Sequence, residues 1–238
     1  MSTNDEREAR LARTRALIVG IGGLGAPAAM ALAAAGVGTL VLVDPDTVEL
    51  SNLHRQPLYE TADVGRAKVD VAAARLRAAH PAVRVVTHRA RFAPDHLASC
   101  DVVLDGTDSI AAKFLVNDAC VDAGVPLVHA GVLGFCAQIL TVLPGRSACY
   151  RCVFEEAPPP GDVPSCQDAG VLGPVPPLAG ALQAAEALRV LTGVEATHAD
   201  RLLSFDLHAG RWRVVPVAAR PSCPACARLH VVGRSEAS

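Results

Sequence analysis

The run Gly20-Ile-Gly-Gly-Leu-Gly25 has the spacing of a loop that brings phosphate oxygens against backbone N–H groups. In such a loop the first glycine allows a tight turn, the second lets phosphate approach the backbone, and the third lets helix and strand pack closely. Glycines 20, 22, 23 and 25 are therefore candidate nucleotide-binding residues. Nineteen residues after Gly25 stands Asp44, at the distance where an acid accepts hydrogen bonds from ribose hydroxyls. These features alone suit NAD as well as ATP. The run Ser51-Asn-Leu-His-Arg-Gln56 then adds two amides and a guanidinium, and Lys68 follows thirteen residues after Arg55. Arginine contacts phosphate through two donors, and lysine acts as a compact point charge. A hydride-transfer cofactor needs no such cluster beyond its pyrophosphate, so Asn52, Arg55, Gln56 and Lys68 point to a triphosphate. The plainer reading of Arg55 and Lys68 is as surface charges.

A carboxylate at the end of the apolar run Asp101-Val-Val-Leu-Asp105 adds to this. Asp108 falls just past that run, where open α/β sheets bind ligands, and could hold Mg²⁺ against a triphosphate. The plainer alternative is an N-cap for the helix 110–123, and one aspartate could contribute to both. The cysteines form a second group. Cys149-Tyr-Arg-Cys152 and Cys223-Pro-Ala-Cys226 are two C-x-x-C pairs, and four thiolates satisfy a closed, structural Zn²⁺ site. The competing reading of one C-x-x-C is a redox disulfide. Cys100, Cys120 and Cys136 lie in or beside apolar runs and read as small core residues. Cys166 follows the polar, proline-rich stretch 155–164, which reads as a loop over the site.

Gly20-Ile-Gly-Gly-Leu-Gly25, Val43-Asp-Pro-Asp-Thr-Val-Glu-Leu-Ser-Asn-Leu-His-Arg-Gln56, Gly65-Arg-Ala-Lys68 and Asp105-Gly-Thr-Asp108 together resemble the MoeB/ThiF/HesA family of adenylyltransferases, which activate ubiquitin-like sulfur-carrier proteins. The resemblance runs from about Arg15 to Cys226. It implies ATP-dependent adenylylation of the C-terminal carboxylate of a small carrier ending in Gly-Gly. Asp44 would then hold the ribose, Asn52, Arg55 and Lys68 the phosphates, Gln56 the nucleotide, and Asp108 the Mg²⁺. Cys166, before an Ala-Gly-Val, is implied as a sulfur-transfer or covalent-link cysteine. Arg55, Lys68, Asp108 and Cys166 would be the catalytic set. A homodimer, a sulfur-donor protein and the zinc pair are also implied, as is an N-terminal arginine that reaches the neighbouring subunit, for which Arg7, Arg10 and Arg13 are candidates. The chain departs from the family at Ser109, where asparagine is common, and at Pro176-Pro177. Other readings remain open here: an NAD-dependent oxidoreductase, a carrier-binding scaffold without catalysis, and a member that activates a peptide or small-molecule carboxylate.

These residues need a frame to position them. Apolar runs predict strands near 16–19, 39–43, 84–88, 101–105, 126–130 and 136–143. Helices are predicted near 24–35, 64–79, 110–123 and 178–192, with a final hairpin of 202–206 and 212–216. This alternation describes an α/β, Rossmann-like, mostly parallel sheet with flanking helices, C-terminal antiparallel strands and a structural zinc site. The domain expectation is a charged N-terminal segment at 1–14, helical or disordered, followed by a single ThiF-like adenylation domain over 15–238. The formal net charge of −2 gives no electrostatic footprint for nucleic acid. No apolar run has membrane-spanning length and no signal-like segment opens the chain, so a soluble, cytoplasmic protein is expected.

Overall fold

The computed structural model describes residues 3–159 and 170–232. Eight strands form one sheet in the order β3-β2-β1-β4-β5-β6-β7-β8. Strands β1 (Arg15–Val19), β2 (Thr39–Val43), β3 (Arg84–His88), β4 (Val102–Asp105) and β5 (Leu127–Leu133) run parallel. Four of them are apolar runs buried on both faces, as a parallel sheet covered by helices requires; β3, at the edge, is only partly buried. Strands β6 (Cys136–Val142), β7 (Arg201–Asp206) and β8 (Arg211–Pro216) add on antiparallel.

Helices α1 (Thr3–Leu11), α2 (Gly25–Ala34), α3 (Lys68–Ala79) and α6 (Val175–Thr192) lie on one face, where Leu11, Ile18, Leu32, Leu76 and Leu191 share a core. Helix α4 (Ile110–Ala123) covers the other face with Leu17, Val103, Val116 and the cysteine knuckles. Short helices α5 (Tyr150–Val153) and α7 (Ala227–Val232) flank those knuckles. Two glycines set the spacing. A Cβ on Gly25 would lie 1.8 Å from the Gly20 carbonyl oxygen, and one on Gly180 would lie 2.2 Å from that of Leu24. The glycine loop and the α2–α6 contact are thus tighter than any side chain permits.

Most predicted elements are found with ends moved by a few residues. The predicted helix 64–79 starts only at Lys68, because residues 65–67 are occupied elsewhere: Gly65 N–H donates to Val48 O, and Arg66 O accepts from Val48 N–H. Helix α6 begins three residues earlier than predicted. Val175, Pro176 and Pro177 fill its first turn, where N–H groups have no intrahelical acceptor and proline costs little. The charged N-terminus forms α1, and Arg10 Nε donates to Leu191 O at 2.6 Å, tying α1 to the end of α6 in the same chain. One core assignment is corrected. Cys120 is buried and Cys100 half-buried, but Cys136 is exposed, because it opens β6 at the tip of a tight hairpin with Leu133 opposite it. No helix among the described residues is long and apolar enough to cross a membrane.

Candidate active site

The carboxyl ends of β1, β2 and β4 open into a cavity of about 590 Å³, lined by Gly20, Gly22, Gly23, Asp44, Asn52, Arg55, Gln56, Lys68 and Asp108 among others. Gly25 lies behind the loop, packed on Gly20. The sequence therefore dispersed over ninety residues one set of groups that the fold gathers at a single opening. This is where the strand order reverses around β1, the position at which open parallel sheets bind ligands.

Asp44, at the end of β2, is buried and fixed by the glycine loop. Its Oδ2 accepts the Ile21 N–H at 2.6 Å, and its Oδ1 accepts that of Asp46 at 2.8 Å. Burial pushes its carboxyl above the ordinary value, against the opposing pull of Lys68. Lys68 opens α3, buried, with Nζ 3.1 Å from Asp46 Oδ2. A 3₁₀ turn, Leu50–Arg55, carries the next group. Arg55 donates to Asn52 Oδ1, and Asn52 Nδ2 donates to Glu49 Oε2 at 3.1 Å. Gln56 is buried, and its Oε1 has no hydrogen-bond partner. A buried amide oxygen without a donor costs free energy until a ligand or water supplies one.

On the opposite wall Asp108 is exposed and engaged by no hydrogen bond or ion pair with the described residues. It does not cap α4. Ser109 does, its Oγ accepting the Ala112 N–H at 3.4 Å. The carboxylate is left available to a cation, which fits a hard, oxygen-seeking Mg²⁺.

Several residues of the candidate site escaped the sequence reading. Lys113, Arg91, Phe92 and Thr107 also line the cavity. Lys113 is the single cation in the helix Ile110–Ala123, four residues after its cap, and that isolation was the available signal. Its Nζ lies 3.2 Å from Asp105 Oδ2 and donates to Ala130 O at 2.7 Å. Asp105 Oδ2 also takes His129 Nδ1 at 2.9 Å, and Oδ1 accepts Thr107 N–H at 3.0 Å and Thr107 Oγ1–H at 2.7 Å. Burial alone would raise the Asp105 carboxyl, but Lys113, His129 and Thr107 outweigh it and hold it well below the usual range. Burial and then the Lys113 charge lower the His129 pKa, against the opposing pull of Asp105. Tyr59 Oη–H donates to Ile21 O at 2.6 Å, anchoring the glycine loop from the Arg55 side.

The four knuckle cysteines meet. Sγ separations are 3.6 Å for Cys149–Cys223, 3.9 Å for Cys149–Cys152 and 3.4 Å for Cys152–Cys226, and all four lie within 4.8 Å of one another. A tetrahedron of zinc–sulfur bonds of about 2.3 Å has edges of about 3.8 Å, so the donor set fits zinc. Burial pushes the Cys149 thiol up to about 12, an ionisation cost that a dication offsets. The knuckle is attached to α4: Tyr150 N–H donates to Asn117 Oδ1 at 2.9 Å, and Arg151 forks onto Asp118. Cys166 lies outside the described residues.

A family model described as the ThiF family matches residues 2–225. A sulfur carrier protein adenylyltransferase of Thermus thermophilus is 44% identical over 230 residues, covering 93% of this chain and 85% of the relative. The SAMP-activating enzyme E1 of Haloferax volcanii is 43% identical over 225 residues, covering 93% and 83%. The sulfur carrier protein ThiS adenylyltransferase of Escherichia coli is 41% identical over 222 residues, covering 91% and 87%. Among solved structures, E. coli MccB with MccA-N7isoASN superposes with a TM-score of 0.82 at 23% identity, covering 93% of this chain and 69% of that one, a likeness of fold. The glycine loop, the Asp44 and Asp108 walls and the cysteine tetrad thus stand in a chain that belongs to the ThiF family.

Proposed function

We propose that the chain uses ATP and Mg²⁺ to adenylate the C-terminal glycine carboxylate of a small ubiquitin-like sulfur-carrier protein ending in Gly-Gly. The observation that carries this reading is the make-up of one cavity. Asp44 at the end of β2, cations Arg55 and Lys68, the unpartnered Gln56 oxygen and an unengaged Asp108 all open on the same space. A dinucleotide site needs only the first of these. The names of the similar adenylyltransferases support the choice of substrate.

The carrier's carboxylate oxygen would attack the α-phosphorus as the bond to the β-phosphate oxygen breaks, giving acyl adenylate and pyrophosphate. No proton changes hands, so the chain's part is positioning and charge neutralisation. The glycine loop N–H groups and Asp44 would fix the nucleoside. Arg55 and Lys68 would leave Asn52 and Asp46 for phosphate oxygens, and Gln56 would accept a donor from the nucleotide. Asp108 would hold Mg²⁺, which supplies charge neutralisation at the triphosphate. The tetrad Cys149, Cys152, Cys223 and Cys226 would hold Zn²⁺ as a closed structural site. Cys166 would serve the later sulfur step as nucleophile or persulfide, with a sulfur-donor protein, in a cytoplasmic homodimer.

ATP–pyrophosphate exchange tests the function. It should require a carrier ending in Gly-Gly and be lost when those glycines are removed. Exchange that ignores the carrier, or tight selective binding of NADH over ATP, overturns the reading.

A further inference from the structure

The Gly106–Thr107–Asp108 turn is short, and one face of it is exposed. What fixes it from below is a buried ionic cluster that the phosphate-binding residues do not share. Asp105 is fully buried, yet its two oxygens take four donors: Thr107 N–H and Oγ1–H on one, Lys113 and His129 on the other. Its backbone oxygen takes a fifth, Gln183 Nε2 at 2.9 Å. Lys113 is secured in turn by the Ala130 carbonyl. His129 is packed at 4.5 Å between ring centroids on Tyr150.

A buried carboxylate without its cation would take up a proton or turn away, because an uncompensated charge in the interior costs far more than the pair. Either change withdraws an acceptor from Thr107, one residue before Asp108. The glycine loop, Asp44 and the Asn52–Gln56 turn are anchored separately, through Ile21, Asp46 and Tyr59. The cluster therefore bears first on the wall formed by residues 106–108, which meets the glycine loop where Gly106 packs on Gly20.

We propose that Lys113 is a positioning residue for the metal-binding wall: by holding Asp105 as an oriented carboxylate beneath Thr107, it fixes the turn that presents Asp108 to the metal–triphosphate. This rests on the adenylation reading for the metal role of Asp108, though its test needs no carrier protein.

ATP binding is measured by calorimetry on the intact protein, once with excess Mg²⁺ and once with EDTA. Lys113→Met should weaken binding roughly tenfold in Mg²⁺, the low end for a residue that orients a metal ligand. In EDTA its affinity should equal that of the unmutated protein. Lys113→Arg, which keeps the charge and the donors, should restore binding in Mg²⁺. Equal weakening in both buffers, or none in either, overturns the proposal, since a general structural role or a direct phosphate contact has no reason to depend on the metal. Should Lys113→Met fail to fold, Thr107→Val decides by the same comparison, because it removes the Oγ1 donor and leaves the charges in place. Failure of carrier-dependent exchange with a normal Mg²⁺ response would sink the function and spare this inference.

Discussion

Replacing Lys68 with methionine keeps the hydrocarbon stem in its buried slot and removes only the ammonium. With phosphate about 4 Å away and an effective dielectric of about 20, the lost attraction is about 4 kcal/mol. Part of that is already spent, since Nζ sits 3.1 Å from Asp46 Oδ2. Asp46 is 64% exposed, and pairs with one end in water are worth at most about 1 kcal/mol. The net loss is about 3 kcal/mol, or roughly a hundredfold in kcat/KM. The assay is carrier-dependent ATP–pyrophosphate exchange, with a thermal melt to confirm the fold. A fall of less than about threefold would refute the reasoning, because an ammonium at the phosphates is worth more than about 0.7 kcal/mol even when screened.

Asp44 supplies a pH test. Its carboxyl is raised by burial, so the folded chain binds this proton more tightly than the unfolded chain. Its contribution to stability is complete below the ordinary carboxylate value and is lost as pH rises through the raised one. ATP affinity has the opposite slope: it should fall on acidification at a pH above the ordinary 3.8, and Asp44→Asn should flatten that limb in a calorimetric titration series. Glu186→Ala should lower unfolding stability by about 3 kcal/mol in urea, because it abandons Thr141 Oγ1–H, Thr197 N–H and His198 N–H, all three donors to its carboxylate. Purified protein should carry one zinc per chain by elemental analysis. Cys226→Ser should lose the metal and melt several degrees lower.

The strands were legible because each parallel strand is a short apolar run between polar turns, and β1, β2 and β4 were read to within a residue or so. Element starts were less so. Lys68 opens α3 because the backbone before it pairs with residues 46–48, a long-range bond with no local trace. Cys136 looked like core by its neighbours, but a hairpin tip turns its side chain outward. The site was legible wherever a residue type has few other uses beside a glycine loop, as with Asp44, Arg55 and Lys68. Lys113 and His129 were not, since their chemistry depends on contacts with Asp105 that only the fold brings about. Asp108 was open by sequence to a cap, a ligand role or both, and the structure gives the cap to Ser109.

The cysteine tetrad also bears on the order in which the chain assembles. Cys149 and Cys223 meet across a sequence separation of 74 residues, a span that contains α6, β7 and β8. A dication at that junction would close a long loop, whose entropy cost grows only slowly with length. The strands β1, β2 and β4 need no such closure, but α6, which packs on α2, β4, β5 and β6, lies inside the loop. A metal at the tetrad would therefore bear on the cavity through topology rather than contact, by fixing the ends of the span that carries α6.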